Sequence, residues 1–431
     1  MKRKICVLAV SIAAVSLLGC DSSLNRTPNF EPNFLYAHAL EKSEDVDLTQ
    51  PLMDSSQLVE EWFGTLDEPK IPPLFAEEYA DLLSLENLKM AAGAPPASAE
   101  PGTSGLYRQQ CASCHGESGQ GRGPVAASQN PYPREFRHGW FKYKSPNRQS
   151  KPLKEDLKRI LVNGLADSQM PRFTKLNEKQ IDSLVDYVIY LSIRGEFERK
   201  LLYLAAYDLD LETARIYNAS WKPSVDEKEK TSYQEQVDAA SEILTEIADA
   251  WNDAIDRVEE FSKPSFPIFG KETDENRSQL LESIEKGQKL FVGDTAASAK
   301  CHGQSGKGDG TQAPDYDDWT KDWTTKIGIQ PTDAEELLPL MARGGLKPQP
   351  LKPRNIVAGH LRGGRDPVDI YRRIRYGIPG ATMPAAALAA SEGAPGLSQD
   401  DVWHLVNYVL SIAEVPAPIP DAPIKTEATK K

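Results

Sequence analysis

Apolar residues recur at steps of three and four through Val237, Ala240, Ile243, Leu244, Ile247, Trp251, Ile255, Val258 and Phe261. This is the spacing of one helix face. It predicts an amphipathic helix over Tyr233 to Phe261, on the order of 40 Å long at 1.5 Å per residue. The opposite face is acidic, with twelve acidic residues against three basic ones from Asp226 to Phe261. Such a face is either solvated, on a helix packed between domains, or a docking surface. Two further helical patterns, LNEKQIDSLVDYVI from Leu176 and LSQDDVWHLVNYVL from Leu397, each follow a start signal. Asn177 and Ser398 are the N-cap residues, and Gln180 and Asp401 stand three places on as capping-box partners. Ile284, Gly287, Leu290 and Phe291 suggest another helix. From Asp21 to Glu100 the pattern is interrupted, with short apolar bursts at 58–66 and 74–85. AAGAPPASAEPG at 91–102 has the composition of a linker. The tail from Val415 is proline-rich and then polar, and predicts disorder. The fold class is mainly α.

The chain also repeats itself. DLKRILVNGLADSQMP from Asp156 and DIYRRIRYGIPGATMP from Asp369 align without gaps, through Gly164 or Gly377 to Met170 or Met383. The Leu176 and Leu397 helices follow. Upstream, Pro133, Arg134 and Gly139 match Pro353, Arg354 and Gly359 in spacing. Two copies of one domain therefore keep register around one methionine each.

The first residues form a separate unit. Lys2, Arg3 and Lys4 precede an uncharged run of 14 residues, Ile5 to Leu18, too short to span a bilayer as a helix and ending in LLGC at Cys20. That ending resembles the lipobox of bacterial lipoproteins, which implies cleavage before Cys20 and lipidation of its thiol and amino terminus. The alternative is an ordinary signal peptide with an incidental cysteine. Either predicts export to the cell envelope; lipidation implies a periplasm-facing protein held at a membrane. Asp21 resembles an inner-membrane retention signal. Five cysteines in 431 residues, two of them in this leader, exclude a disulfide-stapled fold. The net charge of −13, more negative once the leader is removed, excludes nucleic acid as a partner class.

The candidate chemistry lies at Cys111, Cys114 and His115, in CASCHG, on what should be the end of a short helix beginning near Ser104. Cys-x-x-Cys-His places two thiols for the vinyl groups of one porphyrin and an imidazole for its iron. A zinc site would need further ligands at matching spacing, and a redox dithiol a βαβ setting. Met170, in a Gln-Met-Pro loop ahead of the closing helix, is the candidate sixth ligand. A soft, neutral thioether favours ferrous iron and raises the potential. Ordinary packing is its alternative role. The second copy keeps Cys301, His302 and Met383 but carries Ser298 where the first thiol should be. A serine oxygen is too poor a nucleophile to form the link. One thioether and two axial ligands would still retain a porphyrin, and otherwise the copy is an apo interaction module.

With these residues in view, the chain resembles tandem class I c-type cytochromes carried on a bacterial lipoprotein. The resemblance covers about 103–195 and 280–413. It implies two helical cytochrome c-like domains joined by a long helical segment, each with its amino-terminal helix crossing the closing helix. The corresponding division is 1–20 signal peptide, 21–102 amino-terminal segment and linker, 103–200 first domain, 201–275 connecting segment, 276–414 second domain and 415–431 tail. It implies haem c in the first domain and a single-thioether haem in the second. Pro124 would accept the His115 ring proton through its carbonyl, with Pro314 a poorer counterpart. Arg134 and Arg354 are candidates for haem propionates. Residues 131–160, with nine basic and three acidic side chains, would neutralise those propionates, steer an acidic partner or simply be solvated. His138, His360 and His404 are expected in surface or packing roles.

Two protein ligands leave no open coordination position. The chain therefore reads as an electron carrier between redox proteins, anchored to a membrane through Cys20, rather than as a catalyst. A haem enzyme such as a dihaem peroxidase would need a five-coordinate iron. A monohaem cytochrome whose second domain is a scaffold in a respiratory complex is the other alternative.

Overall fold

The computed structural model describes residues 29–93, 105–211, 213–222, 224–312, 315–321, 323–391, 394–416 and 418–422. The leader with Cys20, most of the 91–102 linker and Pro314 lie outside the described residues. The chain is mainly α-helical. In order the helices are α1 (Phe34–Glu44), α2 (Thr49–Phe63), α3 (Pro73–Glu77), α4 (Leu85–Ala91), α5 (Leu106–Gln110), α6 (Ala112–His115), α7 (Lys154–Asn163) and α8 (Glu178–Tyr207). They continue as α9 (Glu227–Asn252), α10 (Arg277–Val292), α11 (Ser298–His302), α12 (Asp318–Lys321), α13 (Ala334–Ala342), α14 (Pro367–Tyr376) and α15 (Gln399–Ile412). Two-residue strands at Asp315–Tyr316 and Pro350–Leu351 pair antiparallel. Among the described residues, no helix is long and apolar enough to cross a membrane.

The central element is α8. It opens on the capping box formed by Asn177 and Gln180. Nearly every residue from Ile181 to Glu198 is buried, because α1, α2, α4, α5, α7 and α9 surround it. One apolar cluster accordingly runs from Phe30 to Trp251. The amino-terminal segment, the first repeat and α9 share it, so the interrupted pattern at 21–102 conceals helices that complete the first repeat's core. Buried charges join the same pieces. Arg137, Arg194 and Glu198 are almost fully buried, Arg137 pairs with Glu135 at 2.6 Å, and the Asn33 amide donates to Glu198 at 2.8 Å.

The second repeat has its own core around Phe291, Tyr371, Trp403 and Val406. There α10 crosses α15 at Gly287, where a β-carbon would meet Tyr408 at 2.8 Å. The α15 helix opens on the capping box of Ser398 and Asp401. The insertion that separates His302 from Met383 more widely carries α12 and α13. Its Trp323, Ile329, Leu337 and Leu340 pack on Leu35 and Ala39 of α1.

Two expectations change. The connecting helix starts at Glu227 and ends at Asn252, with a 3-10 turn at Ile255–Arg257, instead of running to Phe261. Phe261 leaves that face to pack against Tyr371 of the second repeat, ring centroids 4.3 Å apart. In the tail, 423–431 lie outside the described residues, and the part before them is bonded to the first repeat. Arg172 donates its amide to the Pro420 carbonyl at 3.0 Å and accepts from the Ala422 amide at 2.6 Å. Ile419 lies against Gly164, an apolar contact that composition alone did not reveal.

Candidate haem site and its repeat

The segment after each histidine folds identically in the two copies, bond for bond. Gly121 donates to the His115 carbonyl and Gly308 to that of His302, each at 2.8 Å. Gly123 donates to Cys114 at 3.0 Å, and Gly310 to Cys301 at 3.1 Å. Phe136 reaches Gly119 at 2.8 Å, and Ile356 reaches Gly306 at 2.7 Å. These bonds wrap a glycine-rich loop under the short helix that ends in the histidine. A side chain at Gly123 or Gly310 would press into the helix carbonyls beneath it.

The consequence is a fixed imidazole in each copy. His115 Nδ1 lies 2.9 Å from the Arg134 carbonyl, and His302 Nδ1 lies 2.9 Å from the Arg354 carbonyl. A backbone carbonyl only accepts, so Nδ1 carries the proton and Nε2 keeps its lone pair. Pro124 was expected to provide this acceptor. The ring instead meets the residue that follows Pro133, a position whose repetition at Pro353–Arg354 was already visible. Burial pushes the His115 pKa down to about 4, against the opposing hydrogen bond to Arg134 and reinforced by the Arg134 charge. His302 is lowered by burial in the same way. Both rings are therefore neutral near pH 7, the form that donates to a metal. Phe136 stacks on the His115 ring, with centroids 4.7 Å apart and planes 14° apart.

Cys111, Cys114 and Cys301 form no disulfide. Cys114 accepts from Gln129 Nε2 at 3.0 Å, and the Cys301 thiol donates to Gln312 at 2.6 Å. Ser298 opens α11, one turn before Cys301. Among the described residues, no group of three or more His, Cys, Asp and Glu side chains is placed to hold a bare metal ion. The donor set of two adjacent thiols, a neutral imidazole held by Nδ1 and a downstream thioether fits haem c at the first copy. The second copy fits with one thiol fewer.

Met170 and Met383 occupy matching hairpins. Leu165 donates to the Met170 carbonyl and Ile378 to that of Met383, each at 3.1 Å. Met170 is half-buried and packs against the first core. Arg354 contributes its carbonyl to His302, while its guanidinium pairs with Asp167 of the first copy. In the basic stretch at 131–160, Arg137, Lys144 and Lys151 are buried, and several other basic side chains are paired at the surface of the first repeat. Lys151 pairs with Glu196 at 2.5 Å, Lys154 with Asp186 at 2.9 Å and Lys158 with Asp182 at 2.6 Å. His404 is packed under a ring stack with Phe266, 4.2 Å between centroids, and bonds Ser283 at 2.7 Å. His138 lies 3.6 Å from Glu135.

Residues 99–188 match the family model described as cytochrome C oxidase, cbb3-type, subunit III. That span includes Cys111, Cys114, His115 and Met170. A chain of the Kuenenia stuttgartiensis reducing HAO-like protein complex is similar at 24% identity and a TM-score of 0.41, over 72% of this chain and 94% of its own. No curated protein matches.

Proposed function

We propose that this protein is an envelope-anchored c-type cytochrome that carries electrons through two haems. Cys111 and Cys114 would hold the first covalently, and His115 and Met170 would ligate its iron. Cys301 would hold the second through one thioether, with His302 and Met383 as the residues that would ligate its iron. The observation that carries this reading is the matched pair of ring contacts to the Arg134 and Arg354 carbonyls. A copy that no longer bound iron would have no need to keep its imidazole neutral, half-buried and oriented by the same carbonyl. The family model over 99–188 supports the reading in the first copy and its respiratory-chain setting.

Bound haem supplies reversible one-electron chemistry at iron. The chain's contribution is to fix the proton on Nδ1 and keep Nε2 available. It also stacks Phe136 on the His115 ring and would offer the Met170 thioether as a second ligand. Held by His115 and Met170, the iron would exchange electrons without taking a substrate as ligand. Partners are redox proteins that meet the surface transiently. Cys20 provides the lipid that keeps the protein on the periplasmic side of a membrane.

Intact mass and a pyridine haemochrome spectrum, on protein matured in a host with c-type cytochrome assembly, test the reading. Two haems with a mixture of two-thioether and one-thioether signatures are expected. A mass with one haem leaves a monohaem carrier with a scaffold domain. Carbon monoxide binding to the native reduced protein would replace the carrier by a haem enzyme.

A further inference from the structure

The hairpin that presents Met170 is held mainly by the other repeat. Inside the hairpin, Ser168 Oγ donates to Leu165 at 2.7 Å and accepts from the Met170 amide at 3.2 Å. From outside, Arg362 Nε donates to the Ala166 carbonyl at 3.0 Å, and the same guanidinium reaches the Asp167 carbonyl. The Asp167 carboxylate pairs with Arg354 and lies 3.6 Å from Arg362. Immediately beyond the methionine, Arg172 is bonded on both its amide and its carbonyl to the 420–422 tail. Asp167 has φ of 51°, a left-handed conformation that non-glycine residues keep only where surroundings over-determine it. Here the second repeat fastens both its carbonyl and its carboxylate.

We propose that the second repeat is the brace that positions Met170, with Asp167, Arg354 and Arg362 as the positioning residues. The inference rests on the His/Met ligation proposed above, but it requires no haem in the second copy. A thioether is a weak neutral ligand, so its hold on iron depends on how little order the loop must gain in closing. Clamping the loop beforehand lowers that entropic cost. Arginine suits the task because its planar fork grips two carbonyls at once. Arg354 adds a direct link between the sites, since its carbonyl orients His302 while its side chain holds the loop of Met170. A repeat that has lost one haem-attachment thiol thus retains a function in the first haem's coordination.

The test is imidazole titration of the ferric full-length haem protein, reading the first haem by its two-thioether signature. Asp167→Asn and Arg362→Gln should each raise imidazole affinity about tenfold, equivalent to about 1.4 kcal/mol. They should also weaken the sulfur-to-iron(III) absorption. Arg362→Lys, which keeps the charge and loses the fork, should give a smaller change and serves if Arg362→Gln does not fold. Lys200→Gln removes an exposed pair with Glu246 elsewhere and should leave both readings unchanged. Folded Asp167 and Arg362 variants with wild-type imidazole affinity would overturn the brace. A wild-type protein without the sulfur-to-iron absorption would instead overturn the ligation on which it rests.

Discussion

At the scale of single residues, the two arginines after proline show how a motif and its use differ. Pro133–Arg134 and Pro353–Arg354 were legible as a repeat, but their side chains drew the attention, as candidates for propionates. What the copies preserve is a backbone carbonyl beneath a histidine ring, and carbonyls are invisible to residue-type reasoning. Ser298 is the converse, a departure legible at once. It stands one turn before Cys301, at the start of α11, so Ser298→Cys returns a thiol to the helix that already presents Cys301 and His302. The variant should convert the one-thioether haemochrome component to the two-thioether form with no change in haem count. An unchanged spectrum would mean that position 298 does not face the porphyrin vinyl.

At the scale of elements, periodicity found the long helices and missed what makes them interior. The α8 helix carries Asp186, Arg194 and Glu198 within a buried run, so its pattern is polar where its environment is not. Arg194 and Glu198 pair one turn apart, but Asp186 also meets Asn87 and Lys154, Arg194 the Ser118 carbonyl and Glu198 the Asn33 amide, partners that no short window of sequence contains. The buried pair of Glu135 and Arg137, two residues apart, shows what such a charge contributes. Burial alone would raise the Glu135 pKa, but the Arg137 guanidinium, helped by His138 and Arg122, holds it well below the usual carboxylate range. A depressed folded pKa means that the unfolded chain takes up the proton first. The stabilisation is therefore fully present above the ordinary carboxylate value of about 4.3 and declines as pH falls towards the folded value. Glu135→Gln leaves a buried guanidinium without its charge partner and should cost about 3–5 kcal/mol at pH 7. Thermal melts should show the gap between wild type and variant narrowing below about pH 4. A gap constant down to pH 2 would place the loss in packing rather than charge.

At the scale of the whole molecule, the two repeats face each other through matching positions. Asp156 and Arg159 align with Asp369 and Arg372, and across the interface Arg159 reaches Asp369 at 3.2 Å. Arg362 and Arg354 hold the Met170 hairpin, while Arg148 of the first repeat donates to the Met383 carbonyl at 3.2 Å. Each methionine hairpin thus receives an arginine from the other repeat. Two copies were legible in the sequence, but their arrangement was not, because its determinants are scattered arginines aimed at carbonyls.

Tyr143 and Gly363, which stand four residues beyond the matched glycines 139 and 359, touch each other in this interface. A β-carbon at Gly363 would lie 2.6 Å from the Tyr143 ring, and the backbone there has φ of 83°. Gly363→Val should therefore force the repeats apart while leaving both cores intact. Valine is strained at positive φ wherever it is placed. Gly328, with φ of 84° and nothing within 4 Å of a β-carbon, provides the control for that strain alone. Hydrogen exchange separates the effects. In Gly363→Val the amides of Leu165 and Ile378, which close the two methionine hairpins, should exchange faster, while those in the middle of α8 and α15 keep their protection. Gly328→Val should leave the hairpins unchanged. If both variants protect Leu165 and Ile378 equally, each hairpin is self-supporting and the interface contributes nothing to its order.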